Sequence, residues 1–109
     1  MSLLTSTSSS NNHNLYFSKD ELSKILNIYS KGVSAGEWKD YAIDFNKNNA
    51  FFYIFKHTLA SPECTLNKSL EKKKRKIFYN LKSKNINKKF DSLDSLISSL
   101  NRKIIKLIN

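Results

Sequence analysis

Apolar residues recur at steps of three and four near both ends of the chain and at steps of two in between. Leu22, Ile25, Leu26, Tyr29 and Val33 share one face of a 3.6-residue period. This predicts a helix from about Lys19 to Lys31. Ser18 and Glu21 have the spacing of a capping box, in which the hydroxyl accepts from the glutamate amide and the carboxylate reaches back. Phe17 and Leu22 fit the hydrophobic staple around it. Gly32 and Gly36, the only two glycines, are expected to end the helix in a flexible turn.

From Trp38 the period becomes two. Tyr41, Ile43 and Phe45 alternate with Asp40, Ala42 and Asp44, as in a strand with one face in the core and one in water. After a turn at Asn46–Asn49, the segment Ala50–Lys56 is apolar on both faces: Phe51, Tyr53 and Phe55 on one, Phe52 and Ile54 on the other. That predicts a central strand covered on both sides. Beyond Pro62, the residues Cys64, Leu66 and Lys68 suggest a weaker strand. Lys76–Lys82 alternates again with Ile77, Tyr79 and Leu81 inward, and a short strand follows at Ile86–Lys89. Leu93, Leu96, Ile97, Leu100, Ile104, Leu107 and Ile108 restore the helical spacing behind a cap at Asp91 or Ser92. Two helices with one apolar face each need a surface to cover. The predicted fold is therefore α+β, a small antiparallel sheet of three to five strands flanked by an N-terminal and a C-terminal amphipathic helix. Residues 1–14, rich in serine and asparagine, read as a flexible tail. Residues 15–109 read as one domain.

Composition narrows the class. Of 109 residues, 39% are hydrophobic and 12% aromatic, enough for one core in a chain of this size. The longest apolar run, Ala50–Phe55, falls far short of the roughly 18 to 20 residues of a membrane span. No membrane span is expected. No early basic region leads into an apolar stretch, so the expected location is the cytoplasm. Cys64 is the only cysteine and has no internal disulfide partner.

The charge is uneven. Nineteen basic side chains stand against nine acidic ones, for a formal net charge of +10. Lysine and asparagine, both encoded by A-rich codons, are abundant throughout, so composition alone accounts for part of the excess. It does not account for the clustering. Residues 68–89 hold ten basic residues and one acid, a net +9 of the +10.

The segment from Phe17 onward, FSKDELSKILNIYSKGVSAGEWKDYAIDF, resembles domain-of-unknown-function family 2794, a small uncharacterised family of alphaproteobacteria. The resemblance centres on the block Gly36, Glu37, Trp38, Lys39, Asp40, Tyr41, Ala42, Ile43 and Asp44. It continues through Ala50, Phe52, Phe55, Lys56 and Pro62 into the leucine-rich C-terminal helix, covering about residues 16–108. After Pro62 the chain departs from the family pattern, with Lys84, Asn85 and Asn87 in the last hairpin where a glycine is expected, and lysine in place of arginine. The resemblance implies a bacterial cytoplasmic protein and brings no activity with it.

No phosphate-cradling glycine loop, paired-histidine metal motif or nucleophile elbow is present. An enzyme is not expected, nor a metal or a cofactor. His57 and Cys64, seven residues apart across Pro62, give no reason to expect a thiolate pair. Two surfaces remain as candidates. The first is the basic set Lys72, Lys73, Lys74, Arg75, Lys76, Lys82, Lys84, Lys88 and Lys89, expected to form one ridge at a single end of the sheet and to attract RNA or DNA, RNA foremost. Tyr53 or Phe78 would stack on an unpaired base if exposed, although Phe78 is more simply covered by the C-terminal helix. The second is the block Glu37, Trp38, Lys39, Asp40, Tyr41 and Asp44, where Trp38 either anchors an interface or plugs the gap between helix and sheet. In the first role it would make the chain an adaptor for an acidic protein.

Overall fold

In the computed structural model, residues 14–57 and 59–108 are described. The predicted tail therefore lies outside the described residues except for Asn14, as do the side chains of Leu107 and Ile108. Helix α1 (Lys19–Ser34) starts where the capping box places it. The Glu21 N–H donates to Ser18 Oγ at 3.1 Å, and the Ser18 N–H donates to the Glu21 carboxylate at 2.8 Å. The helix outlasts its predicted end by three residues. Gly32 is helical and buried within it, and Gly36, with φ of +77°, takes the left-handed conformation beyond its end.

Five strands follow: β1 (Asp40–Phe45), β2 (Asn49–Phe55), β3 (Cys64–Glu71), β4 (Lys76–Ser83) and β5 (Ile86–Phe90). Each pairs antiparallel with the next, so the sheet is a simple meander in the order β1-β2-β3-β4-β5. Helix α2 (Leu93–Ile108) closes the chain, with Ser92 as its cap: Ser92 Oγ accepts from the Ser95 N–H at 3.2 Å.

Register explains which face is covered. Ile43 lies opposite Phe52, Phe52 opposite Leu66, and Leu66 opposite Leu81, and the period of two keeps this apolar row on one side. Ile25 and Ile28 of α1 and Leu96, Leu100 and Ile104 of α2 pack with Phe52, Leu66 and Leu81 in one core, while Ile43 at the edge stays exposed. Each such side chain contributes about 1.5 to 3 kcal/mol by leaving water. A polar tie fixes α1 across the sheet. Glu21 accepts from Lys68 Nζ on β3 at 2.7 Å and from the Tyr79 hydroxyl on β4, and Lys68 also donates to the Tyr16 carbonyl at 2.8 Å. Burial raises the pKa of Glu21, but the donors Lys68, Tyr79 and Ser18 more than reverse it and hold the carboxyl below its ordinary value.

Three expectations are corrected. Two helices on one face leave the other without a layer, so β2 is not covered on both sides along its length: Ala50, Phe52 and Ile54 are buried under the helices, while on the far face Phe51 and Tyr53 are half-buried and Phe55, at the strand's end, is buried. β1 is an edge strand at the rim of the helix layer, and all six of its residues are exposed. α1 is also rotated relative to its predicted face. Ile25, Ile28 and Gly32 are buried, whereas Leu26 and Val33 are exposed.

Candidate nucleic-acid interface

The basic segment folds as the β3–β4 hairpin and what adjoins it. Glu71 pairs with Lys76, so Lys72, Lys73, Lys74 and Arg75 form the connecting turn. The turn is closed by the Arg75 N–H donating to the Lys72 carbonyl at 3.2 Å, and Arg75 sits at φ +50°. All four side chains are exposed. Among the described residues none of them forms an ion pair. Four exposed cations at the tip of a hairpin, of which Lys74 also feels the Glu71 carboxylate, attract an anion with little desolvation cost.

The open sheet face continues from that tip. Strand alternation puts Lys76, Phe78, Asn80 and Lys82 of β4 on the side away from the helices, with Phe78 opposite Ser69 and Asn80 opposite both Asn67 and Lys89. Phe78 is only 7% exposed, yet the helices do not cover it. Lysines do. Lys89 Nζ lies 4.0 Å from the ring centroid, Lys76 Nζ 5.1 Å and Lys74 Nζ 5.9 Å, a geometry in which the ring quadrupole holds ammonium groups in place. The expectation that α2 covers Phe78 is thus corrected. Glu71 accepts from Lys89 Nζ at 2.9 Å, which holds its carboxyl below the ordinary value, and Lys76 lies 3.6 Å from Asp91.

Between the lysine cluster and the far edge runs a polar ladder that no charge count would reveal. Asn80 Nδ2 donates to Asn67 Oδ1 at 2.9 Å, and Asn67 Nδ2 donates to Asn49 Oδ1 at 3.2 Å. Beside it on β2, Phe51 and Tyr53 stack with centroids 5.6 Å apart. The alternation of polar residues with the core positions of β3 and β4 was the available signal for this face.

The nine basic candidates do not form one ridge. Lys72 to Lys76 occupy one end of the sheet, and Lys84 lies in the β4–β5 turn at the other, eight residues along β4 and roughly 26 Å away at strand rise. Lys82 lies on the open face near that far end. Lys88 alternates with Lys89 and falls on the helix side of the β5 edge. Lys89 is the one later lysine that returns to the hairpin cluster. The meander is the physical reason: successive turns alternate between the two ends.

The Trp38 block also separates. Trp38 is 6% exposed, stacks on Tyr29 with centroids 6.3 Å apart, and fills the space left by Gly32, where a Cβ would overlap the indole. It plugs the gap between helix and sheet. Glu37 pairs with Lys56 at 3.1 Å, and Lys39 uses its N–H to bond the Phe55 carbonyl at 2.8 Å. Asp40 and Asp44 lie on the open face of β1, while Tyr41 lies on the helix face, stacked on Phe52 at 4.9 Å. His57 is exposed and Cys64 buried, and burial pushes the thiol up to about 12. No cluster of His, Cys, Asp or Glu among the described residues could hold a metal ion. None of their helices is long and apolar enough to cross a membrane.

These features define a class: a basic α+β protein with two helices on one face of a five-stranded meander and the other face open. The capping box, the Trp38 plug and the hairpin all fall within residues 15–89, and over those residues the chain matches DUF2794, a family of proteins of unknown function. The chain belongs to that family. α2, which the sequence resemblance takes in, lies beyond the matched residues. No curated protein and no solved structure matches the chain.

Proposed function

We propose that the protein binds nucleic acid, single-stranded RNA foremost, through the β3–β4 hairpin tip and the adjoining open sheet face. The observation that carries this reading is the continuity of charge. Exposed cations at residues 72–75, none of them in an ion pair, run directly into the Lys76 and Lys89 ammonium groups over Phe78, which also pair with Asp91 and Glu71. Phosphates meet the tip, where each contact releases condensed counterions. A strand laid from the tip across the face then passes the Asn67–Asn80 ladder and reaches the Phe51–Tyr53 pair. Aromatic rings suit base stacking, a contact worth about 1 to 3 kcal/mol per base. A duplex keeps its bases stacked and offers only its backbone, so a single strand gains more here.

The reading as an adaptor for an acidic protein relied on Trp38 as an anchor, and that side chain is buried. Asp40 and Asp44 beside it would repel an acidic partner.

The test is fluorescence anisotropy of labelled single-stranded RNA and of duplex DNA across a salt series. With four phosphate contacts the logarithmic salt slope for the single strand is about −3. Replacing Lys72, Lys73, Lys74 and Arg75 together by glutamine leaves the circular dichroism spectrum unchanged and removes most of that slope. Binding by the quadruple variant equal to that of the parent refutes the proposal.

A further inference from the structure

The two edges of the sheet are not alike. β5 carries Lys88 and Lys89, and lysine on an edge strand opposes strand addition. β1 carries no basic residue. Its helix-side row, Tyr41, Ile43 and Phe45, is 44%, 42% and 42% exposed, and it continues into the exposed Tyr16, Leu26 and Val33. Tyr16 packs on Phe45 at 4.5 Å, and Tyr41 packs edge-on against Tyr29 of α1 at 5.1 Å, so these side chains form one shoulder along α1 and β1. At such exposures six side chains of this size leave on the order of 500 Å² of apolar surface, at the upper end of what a monomer normally shows.

The backbone of β1 is also available. The Asn46 N–H donates inward to the Asn49 carbonyl at 2.8 Å. Alternation carries that inward direction to Asp44, Ala42 and Asp40, so the N–H and C=O groups of Tyr41 and Ile43 and the C=O of Phe45 face the open edge, while the Phe45 N–H donates to Asp44 Oδ1 at 2.8 Å. Leu15 bonds the Asn46 carbonyl at 2.8 Å and closes the edge at that end.

We infer that β1 pairs antiparallel with β1 of a second copy, making a symmetric dimer with one ten-stranded sheet. Charge favours a second copy over a foreign acidic or basic partner. The net +9 of residues 68–89 sits on β3 to β5, away from this edge, and residues 1–67 sum to zero. Charge also selects the register. With Ala42 on the two-fold axis, Asp40 of each copy faces Asp44 of the other, and directly opposed like charges disfavour pairing. With Ile43 on the axis, Ile43 meets Ile43, Tyr41 meets Phe45, and Asp44 meets Ala42. That register pairs aromatic with aromatic and removes both acid–acid contacts. The two helix layers then lie on the same side, with the exposed Leu26 and Val33 stripes of the two α1 helices facing each other. The shoulder's apolar surface, on the order of 500 Å², is more than half of the roughly 800 Å² per partner of a standard interface.

The experiment is sedimentation equilibrium of the full chain at micromolar concentration. The parent protein sediments at twice the chain mass. Ile43→Lys, which places two ammonium groups at the axis, sediments at the monomer mass with an unchanged circular dichroism spectrum. Tyr41→Thr, which keeps the strand propensity and removes the aromatic pair, serves if Ile43→Lys does not fold and gives a weakened dimer. Ala42 reads the register: Ala42→Lys, opposite Asp44, tightens the dimer, and Ala42→Asp loosens it, each roughly three- to tenfold. A monomeric parent, whether the edge is left bare or filled by another segment of the same chain, overturns the inference. So does a dimer that Ile43→Lys and Tyr41→Thr leave intact, or one that Ala42→Asp does not weaken.

Discussion

Gly32 is the position where a routine expectation reverses sign. In an ordinary helix interior, Gly→Ala gains about 1 kcal/mol, because alanine restricts the unfolded chain and glycine is a poor helix former. In α1 the added Cβ would overlap the Trp38 indole, which is pinned between Tyr29 and the end of the helix. The backbone on both sides is also fixed, since the Glu37 N–H bonds the Gly32 carbonyl at 2.9 Å and the Trp38 N–H bonds it at 3.3 Å. Overpacking of this kind costs about 1 to 3 kcal/mol. Gly32→Ala is therefore expected to be destabilising by up to about 2 kcal/mol net, a fall in Tm of up to roughly 12 °C for a chain of this size. Trp38→Ala alone costs about 3 to 5 kcal/mol, as for other buried aromatic truncations. The cycle is the sharp part: with Trp38 already alanine, Gly32→Ala meets no ring and is expected to recover about 1 kcal/mol. Urea denaturation followed by circular dichroism measures all four proteins. A Gly32→Ala variant more stable than its parent refutes the packing argument, as does additivity of the two substitutions.

Glu21 and its donors make a pH prediction. A carboxyl held below its ordinary value of 4.5 contributes stability that is present above about pH 4.5 and lost as pH falls through the folded value. Glu21→Gln, which strands the Lys68 ammonium, is expected to cost about 3 kcal/mol at neutral pH, with the gap to the parent closing as urea midpoints are taken into acid. Cys64, buried and with its thiol pushed up to about 12, is expected to react with a thiol probe at pH 8 only after denaturant is added. Phe78→Leu keeps every charge but releases the ammonium groups of Lys74, Lys76 and Lys89, and is expected to weaken RNA binding about two- to fivefold. Unchanged affinity would mean that the ring does not position them.

Much of this architecture was legible because local chemistry and tertiary placement agree. The capping box at Ser18 and Glu21 states where α1 begins, and alternation through β4 names Leu81 as core. The misreadings share one cause, that periodicity says which residues align but not whether another layer covers them. Tyr41, Ile43 and Phe45 have the pattern of a half-buried strand, yet β1 falls at the rim. Phe51 and Phe52 look equivalent in sequence, and only the placement of both helices on one face separates them. Gly32 looked like a stop because its partner, Trp38, is close in sequence but meets it through a turn. For the candidate site, the Lys72–Arg75 tip could be read from the charge run. The distance to Lys84 and the ladder of Asn49, Asn67 and Asn80 could not, since both depend on how successive hairpins are laid side by side.

Nuclear magnetic resonance shows whether the hairpin tip and the open face receive a nucleic acid strand. Backbone amide resonances of isotope-labelled protein are followed during titration with a short single-stranded RNA at low salt. Shifts are expected to concentrate at residues 72–76, 78, 80 and 89 and to extend to Asn67 and Phe51, with the buried helix-side residues Ile25, Ile28 and Leu96 unmoved. Shifts centred on the helices or the β4–β5 turn, or no shifts at all, contradict the proposed function.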